Sequence, residues 1–102
     1  VIRDYLNVED LVGAIYCSII NKTNSKIFNI GSGQGHSLND LLTIMKNVTD
    51  RDFLITYADS RTCDVPEIYL DITRSKKELF WKPTNTLEYG INKTWEFVNN
   101  LK

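Results

Sequence analysis

Apolar residues recur at helical spacing in three stretches of the chain. Val8, Leu11, Val12, Ile15 and Ile19 predict a helix over about residues 8–21. Asn7 suits its N-cap, and Glu9 and Asp10 favour the first turn through the helix dipole. Leu38, Leu41, Leu42, Met45 and Val48 form one stripe on a second helix. Ser37 opens it with Asp40 three residues on, a capping box with aspartate where glutamate is usual, and Thr49–Asp52 ends it. Leu87, Ile91, Trp95, Val98 and Leu101 share one side of a last helix capped by Thr86. A shorter helix runs from a Thr73 cap to Leu79, and Trp81-Lys82-Pro83 closes it, because proline cannot continue a helix.

Between the helices lie runs that read as strands. Ile27–Ile30 is a short strand of the buried type. Phe53–Ala58 alternates, with Phe53, Ile55 and Tyr57 expected on one face. Arg3–Leu6 and the residues around Ile68–Asp71 read as brief extended pieces. The order helix, strand, helix, strand, helix, helix predicts a mixed α/β fold. The first extended piece lies so close to Val1 that it is expected to lack partners, and the pattern is that of a piece of a larger fold.

Composition narrows the partners more than the fold. The chain has 102 residues, 42% hydrophobic and 25% charged, which allows one domain with a modest core. A net charge of −1 without a basic block disfavours nucleic acid and anionic membrane surfaces. No apolar run approaches a membrane span, and the opening Val1-Ile2-Arg3-Asp4 does not read as a signal peptide. Cys17 and Cys63 form no CxxC, and His36 is the single histidine, so metal binding has little support. A reduced, cytoplasmic setting is the simplest expectation. In that setting the Asn-x-Thr triplets at Asn21, Asn47 and Asn92 read as chance rather than glycan sites.

Candidate chemistry sits in Arg61-Thr62-Cys63-Asp64-Val65-Pro66. An arginine there can fork onto a phosphate, and a carboxylate on the same loop can accept from sugar hydroxyls. That pairing suits a nucleoside-diphosphate ligand, although the hexapeptide alone also reads as a solvated turn. Two other stretches imitate active-site motifs. Gly31-Ser32-Gly33-Gln34-Gly35 precedes a helix as a phosphate-cradling loop would, but its third glycine comes one residue early for Gly-x-Gly-x-x-Gly. It reads as a tight turn, with His36 a loop side chain rather than a base. Tyr89 and Lys93 have the spacing of a catalytic Tyr-x-x-x-Lys, which a helix places on one face. They are expected to pack and to be solvated, respectively. Asp4 and Asp10 read as structural charges, and Trp81 and Trp95 as core or interface anchors.

Five stretches in register carry a family resemblance. Arg3-Asp4-Tyr5-Leu6-Asn7-Val8-Glu9-Asp10, Phe28–Ser37, Arg61–Pro66, Lys76–Pro83 and Leu87–Trp95 follow one another with consistent spacing. Together they resemble the C-terminal part of the extended short-chain dehydrogenase/reductases, most closely the UDP-glucose 4-epimerase group of the NAD-dependent epimerase/dehydratase family. The resemblance implies an α/β, C-terminal fragment of a Rossmann-type enzyme, with residues 1–102 its substrate-binding portion and the dinucleotide-binding part absent. It implies that Arg3 and Arg61 grip a diphosphate, that Asp64 holds ribose hydroxyls, and that Ile68 stands where some epimerases carry a tyrosine beside the sugar's 2-position. A 2-acetamido sugar is therefore expected to be accepted. The whole enzyme would be a homodimer, use NAD and a tyrosine outside these residues, and act on a UDP-sugar.

No catalytic, cofactor or metal residue is expected within these 102 positions, and this piece alone is expected neither to catalyse nor to bind NAD. Its first helix would present an apolar face and drive self-association. A sister nucleotide-sugar 4,6-dehydratase or reductase would share the same C-terminal part. A standalone nucleotide-binding or interaction module is the reading of another class. Two positions depart from the family pattern. Thr62-Cys63 replaces Pro-Gly, which removes a preset turn and predicts a more mobile loop. Phe80 stands where glycine or asparagine ends a helix, so that end needs another geometry or carries strain.

Overall fold

The computed structural model describes residues 1–59 and 61–101. Its elements in order are β1 (Ile2–Arg3), α1 (Val8–Ile20), β2 (His36–Ser37), α2 (Leu38–Thr49), α3 (Thr73–Glu78) and α4 (Leu87–Asn99). The helices fall where the apolar spacing puts them, and three of their caps are the expected ones. Asn7 accepts from the Glu9 N–H, Ser37 and Asp40 close a capping box in both directions, and Thr86 accepts from the Tyr89 N–H. At α3 the expected cap is replaced. Thr73 is the first helical residue, and the Asp71 carboxylate accepts from both its N–H and its hydroxyl.

The strands differ more. Ile27–Ile30 and Phe53–Ala58 form no regular element and belong to no ladder among the described residues. Ile27 is exposed, while Phe28 and Ile30 pack against the core, the pattern of a half-covered segment rather than a buried strand. Phe53 and Ile55 are half-buried, but Tyr57 is exposed instead of joining them. An extended segment becomes a strand only where a neighbour pairs with its edge. The piece expected to lack partners has two. β1 pairs antiparallel with β2, with Ile2 opposite Ser37 and Arg3 opposite His36. On its other edge Ile2 bridges Glu67 in parallel: the Ile2 N–H donates to the Pro66 carbonyl at 2.9 Å, and the Ile68 N–H donates to the Ile2 carbonyl at 3.0 Å.

The core is small and lies between α1 and the chain around α3. Ala14, Ile72, Leu79 and Trp81 are buried, with Leu6, Cys17, Phe28, Ile30 and Leu70 against them. Trp81 is a core anchor, and its indole N–H donates 3.0 Å to the Asp10 carbonyl. The buried Asp10 carboxylate then accepts from the Thr84 N–H and hydroxyl and from the Asn85 N–H and side-chain amide, at 3.0–3.1 Å. It therefore fastens the start of α1 to the lead-in of α4. Glu78 accepts from the Thr23 and Ser25 hydroxyls, which folds the connector after α1 onto the end of α3. Helices α2 and α4 pack on each other; the middle of each apolar stripe is half-buried, while Leu38, Val98 and Leu101 at the stripe ends are exposed, and the Arg51 guanidinium lies 5.3 Å from the Trp95 ring centroid.

The radius of gyration is 16.3 Å, against about 13 Å for a compact chain of this length. The molecule is a slab of 49 × 38 × 18 Å. On α1, Val8, Val12, Ile15, Tyr16, Ile19 and Ile20 are all exposed. That is more apolar surface on one helix than an isolated domain usually presents to water.

Phe80 ends α3 at φ 53°, in the left-handed region, with its side chain mostly exposed. A residue with a Cβ costs about 1–2 kcal/mol there, and the ring returns little packing. Phe80→Gly is expected to raise the stability of the chain by about 1 kcal/mol, read as a higher urea midpoint. An unchanged or lower midpoint would show that this turn carries no strain.

Candidate functional site

The candidate site is built around the middle strand. Parallel alignment of Ile2 with Glu67 sets Arg3 beside Ile68, and antiparallel pairing sets Arg3 opposite His36. Side chains alternate between faces along a strand, and aligned residues share a face. His36, Arg3 and Ile68 therefore form one row, and Ile2 with its neighbours takes the other face. Contacts on that other face agree: a Cβ on Gly35 would meet Ile2 Cγ2 at 2.6 Å and the Tyr69 ring at 3.0 Å. Two expected site residues, Arg3 and Ile68, are thus brought together. The row also holds His36, which reads from sequence as a loop side chain. The pattern Gly-His-Ser before a capped helix is its only local signal; the register that sets it opposite Arg3 is non-local.

Arg3 Nη1 donates to its own strand's Ile2 carbonyl at 2.8 Å and to the Val65 carbonyl at 2.7 Å. The second bond ties it to the loop that carries Arg61 and Asp64. Among the described residues its other guanidinium nitrogens make no hydrogen bond. The loop itself is a turn closed by the Asp64 N–H donating 3.3 Å to the Arg61 carbonyl. A side-chain fork reinforces it: Arg61 Nε and Nη2 donate to the two Asp64 carboxylate oxygens at 3.1 and 2.9 Å. Turn residues i and i+3 are neighbours, so the fork supplies some of the closure that Pro-Gly would preset.

Arg61 and Asp64 are therefore one unit rather than two separate contacts. The Arg61 side chain is 76% exposed and that of Asp64 25%. An ion pair this open contributes only about 0.2–1 kcal/mol. A guanidinium has five N–H donors and a carboxylate about four acceptor positions. The fork leaves the outer edge of Arg61 for an anion and two lone pairs of Asp64 for hydroxyls.

Asp4 fixes the backbone that carries Arg3. Its carboxylate accepts from the Ser32 N–H at 2.8 Å, the Ser32 hydroxyl at 2.6 Å, the Gly33 N–H at 3.1 Å and the Leu70 N–H at 3.2 Å. The glycines let the loop close on it. Gly33 has φ +75°, and a Cβ on Gly31 would sit 2.6 Å from Asp4 Oδ2. The Ser32 and Gly33 N–H groups are thus taken by the protein's own carboxylate and the Gln34 N–H by the Ser32 hydroxyl, so this loop does not fit a dinucleotide. Tyr89 and Lys93 share a face of α4: the Lys93 ammonium lies 5.7 Å from the Tyr89 ring centroid and 3.8 Å from Glu96. Tyr89 is more exposed than a packed residue, and Lys93 is solvated as expected.

Among the described residues no group of three or more His, Cys, Asp or Glu side chains could hold a metal, and no helix is long and apolar enough to cross a membrane. Clefts of about 700 and 570 Å³ open at the Asn21–Lys26 connector and beside α3. Neither is lined by Arg3, Arg61 or Asp64.

No family model matches the chain. Individual proteins do. It is 37% identical over 91 residues to dTDP-4-dehydro-6-deoxyglucose reductase of Escherichia coli, which covers 89% of this chain and 29% of that protein. Among solved structures, UDP-glucose 4-epimerase of Thermotoga maritima with UDP-glucose superposes with a TM-score of 0.89 at 36% identity, over 99% of this chain and 33% of that one. UDP-glucose 4-epimerase of Stenotrophomonas maltophila, with bound NAD and formylated UDP-arabinopyranose, gives 0.90 at 25% identity, over 98% and 31%. The fold is thus α/β of the extended Rossmann-type short-chain dehydrogenase/reductases. Within that class the chain is similar to nucleotide-sugar epimerases and reductases, and it spans about a third of their length.

Burial pushes the Asp4 carboxyl up, but its bonds from Ser32, Leu70 and Gly33 outweigh burial and hold it below the ordinary range. A lowered folded-state value stabilises above the unfolded pKa of about 3.9 and is lost as pH falls through the folded value. Acid unfolding of the chain is expected to steepen below about pH 4 for this reason. Asp4→Asn should remove that part of the pH dependence and cost about 1–3 kcal/mol at neutral pH, because an amide cannot satisfy all four donors. An unchanged acid transition in Asp4→Asn would overturn the assignment.

Proposed function

We propose that this chain is the C-terminal, substrate-binding portion of an NAD-dependent UDP-sugar 4-epimerase. Arg3 and Arg61 grip the diphosphate, Asp64 accepts from the ribose hydroxyls, and Ile68 lies toward the sugar's 2-position. The observation that carries this reading is the junction of the Arg61–Asp64 fork with Arg3 through the Val65 carbonyl. It ties Arg3 to the loop that carries Arg61 and Asp64. Holding the nucleotide positions the sugar for reaction. NAD, which would remove and return the hydride, and the tyrosine base would belong to residues outside these 102, so the chain alone is inactive. The bared face of α1 would lie against the rest of such an enzyme, a homodimer in the cytoplasm. In isolation it would make the chain self-associate, and sedimentation velocity showing only monomer over a concentration series would refute that.

A second reading has support of its own. The 37% identity to a dTDP-sugar reductase exceeds that to the epimerases above. The two readings differ in the ribose, since UDP offers a 2′-hydroxyl and dTDP does not.

Calorimetric titration separates them. UDP is expected to bind weakly, more tightly than dTDP, and about tenfold or more weakly after Arg61→Ala, the scale of one charged hydrogen bond. Equal or tighter binding of dTDP would favour the reductase reading. UDP binding that is indifferent to Arg61→Ala would exclude the site. UDP-N-acetylglucosamine should bind about as well as UDP-glucose and be disfavoured by Ile68→Tyr.

A further inference from the structure

We propose that His36 is a third diphosphate-binding residue, acting beside Arg3. This rests on the nucleotide-binding reading above and extends it to a position that the sequence alone marks as a loop side chain. Three observations carry it. The first is register: His36 is the antiparallel partner of Arg3, and directly opposed residues share a face with their Cβ atoms about 5 Å apart. The second is the opposite face, where the contacts of the Gly35 position with Ile2 and Tyr69 account for the alternate residues of both strands. The third concerns partners. His36 is half-buried, and among the described residues its ring makes no hydrogen bond, so its nitrogens are available to a ligand.

The nearby carboxylates do not compete for it. Asp40 is engaged by the Ser37 N–H in the capping box, and Asp64 by Arg61. Alternation puts Glu67, the partner of Ile2, on the other face. The row His36–Arg3–Ile68 then runs from the phosphate end toward the sugar. An imidazole donates one N–H when neutral and two when charged, and either serves a phosphate oxygen. The ligand class is an organic diphosphate, and the contact is to its phosphates rather than to the nucleoside.

The test is binding of UDP and UMP to the chain and to His36→Ala, His36→Arg and Arg61→Ala, with thermal unfolding of each as the check on folding. His36→Ala is expected to weaken UDP about tenfold, to weaken UMP much less and to leave the unfolding temperature in place. His36→Arg should restore UDP binding, which a purely structural role would not allow. Unchanged UDP affinity in His36→Ala, with Arg61→Ala impaired, would overturn the role of His36 and leave the nucleotide site standing. Equal losses for UDP and UMP without rescue by arginine would mean a structural residue. Failure of the parent chain and of every variant alike to bind UDP would overturn the site and this inference together.

Discussion

The arrangement depends on one half-buried carboxylate. Asp4 gathers the N–H groups of Ser32, Gly33 and Leu70 and the Ser32 hydroxyl, drawn from segments 28 and 66 residues away in the chain. None of these segments is regular enough at that point to pair through a ladder. Buried N–H groups left without partners cost about as much as lost hydrogen bonds, so an irregular junction needs an acceptor with several lone pairs. An ionised carboxylate supplies them in the space of one side chain. Asp10 does the same for Thr84 and Asn85. Two aspartates six residues apart thus join the start of the chain to its middle and to its last third.

That solution has a consequence for the site. Because Asp4 anchors the residue next to Arg3, β1 is held on both edges although it has only two residues. The row His36–Arg3–Ile68 takes its register from this anchoring rather than from sheet length. The same economy leaves the slab thin. With four buried apolar residues among those described, the core does not also cover α1. The exposed side chains of α1 are therefore a property of the architecture, and they fit a chain that matches about a third of its relatives' length.

How much of this was legible in the sequence follows from the range of each interaction. The four helices and three of their caps are local, since cap and first turn lie within three residues, and they read correctly. The strain at Phe80 is also local and appears as φ 53°. The strands misread because a run such as Phe53–Ala58 has the composition of a strand whether or not a partner is present. Asp4 and Asp10 read as structural, but their partners lie too far along the chain to be inferred. The register that sets His36 opposite Arg3 is non-local in the same way. The placement of His36 depends on Gly31, Gly33 and Gly35 letting the loop approach Asp4, Ile72 and Ile2, and spacing alone makes those glycines look like a phosphate loop.

The spacing of Arg61 and Asp64 is ambiguous for a different physical reason. Three residues is the distance that lets two side chains meet across a turn, and it is also the distance that lets both face one ligand. Here the first holds, and it does not exclude the second. The carboxylate grips one edge of the guanidinium and leaves the other outward, so the pair orients its own arginine. Because the pair is open to solvent, parting it for a phosphate costs less than about 1 kcal/mol. A buried pair would have resisted a ligand, and an unpaired arginine would have to be ordered on binding. An exposed, hydrogen-bonded fork lies between these extremes: its arginine is already oriented, and its partner is readily displaced.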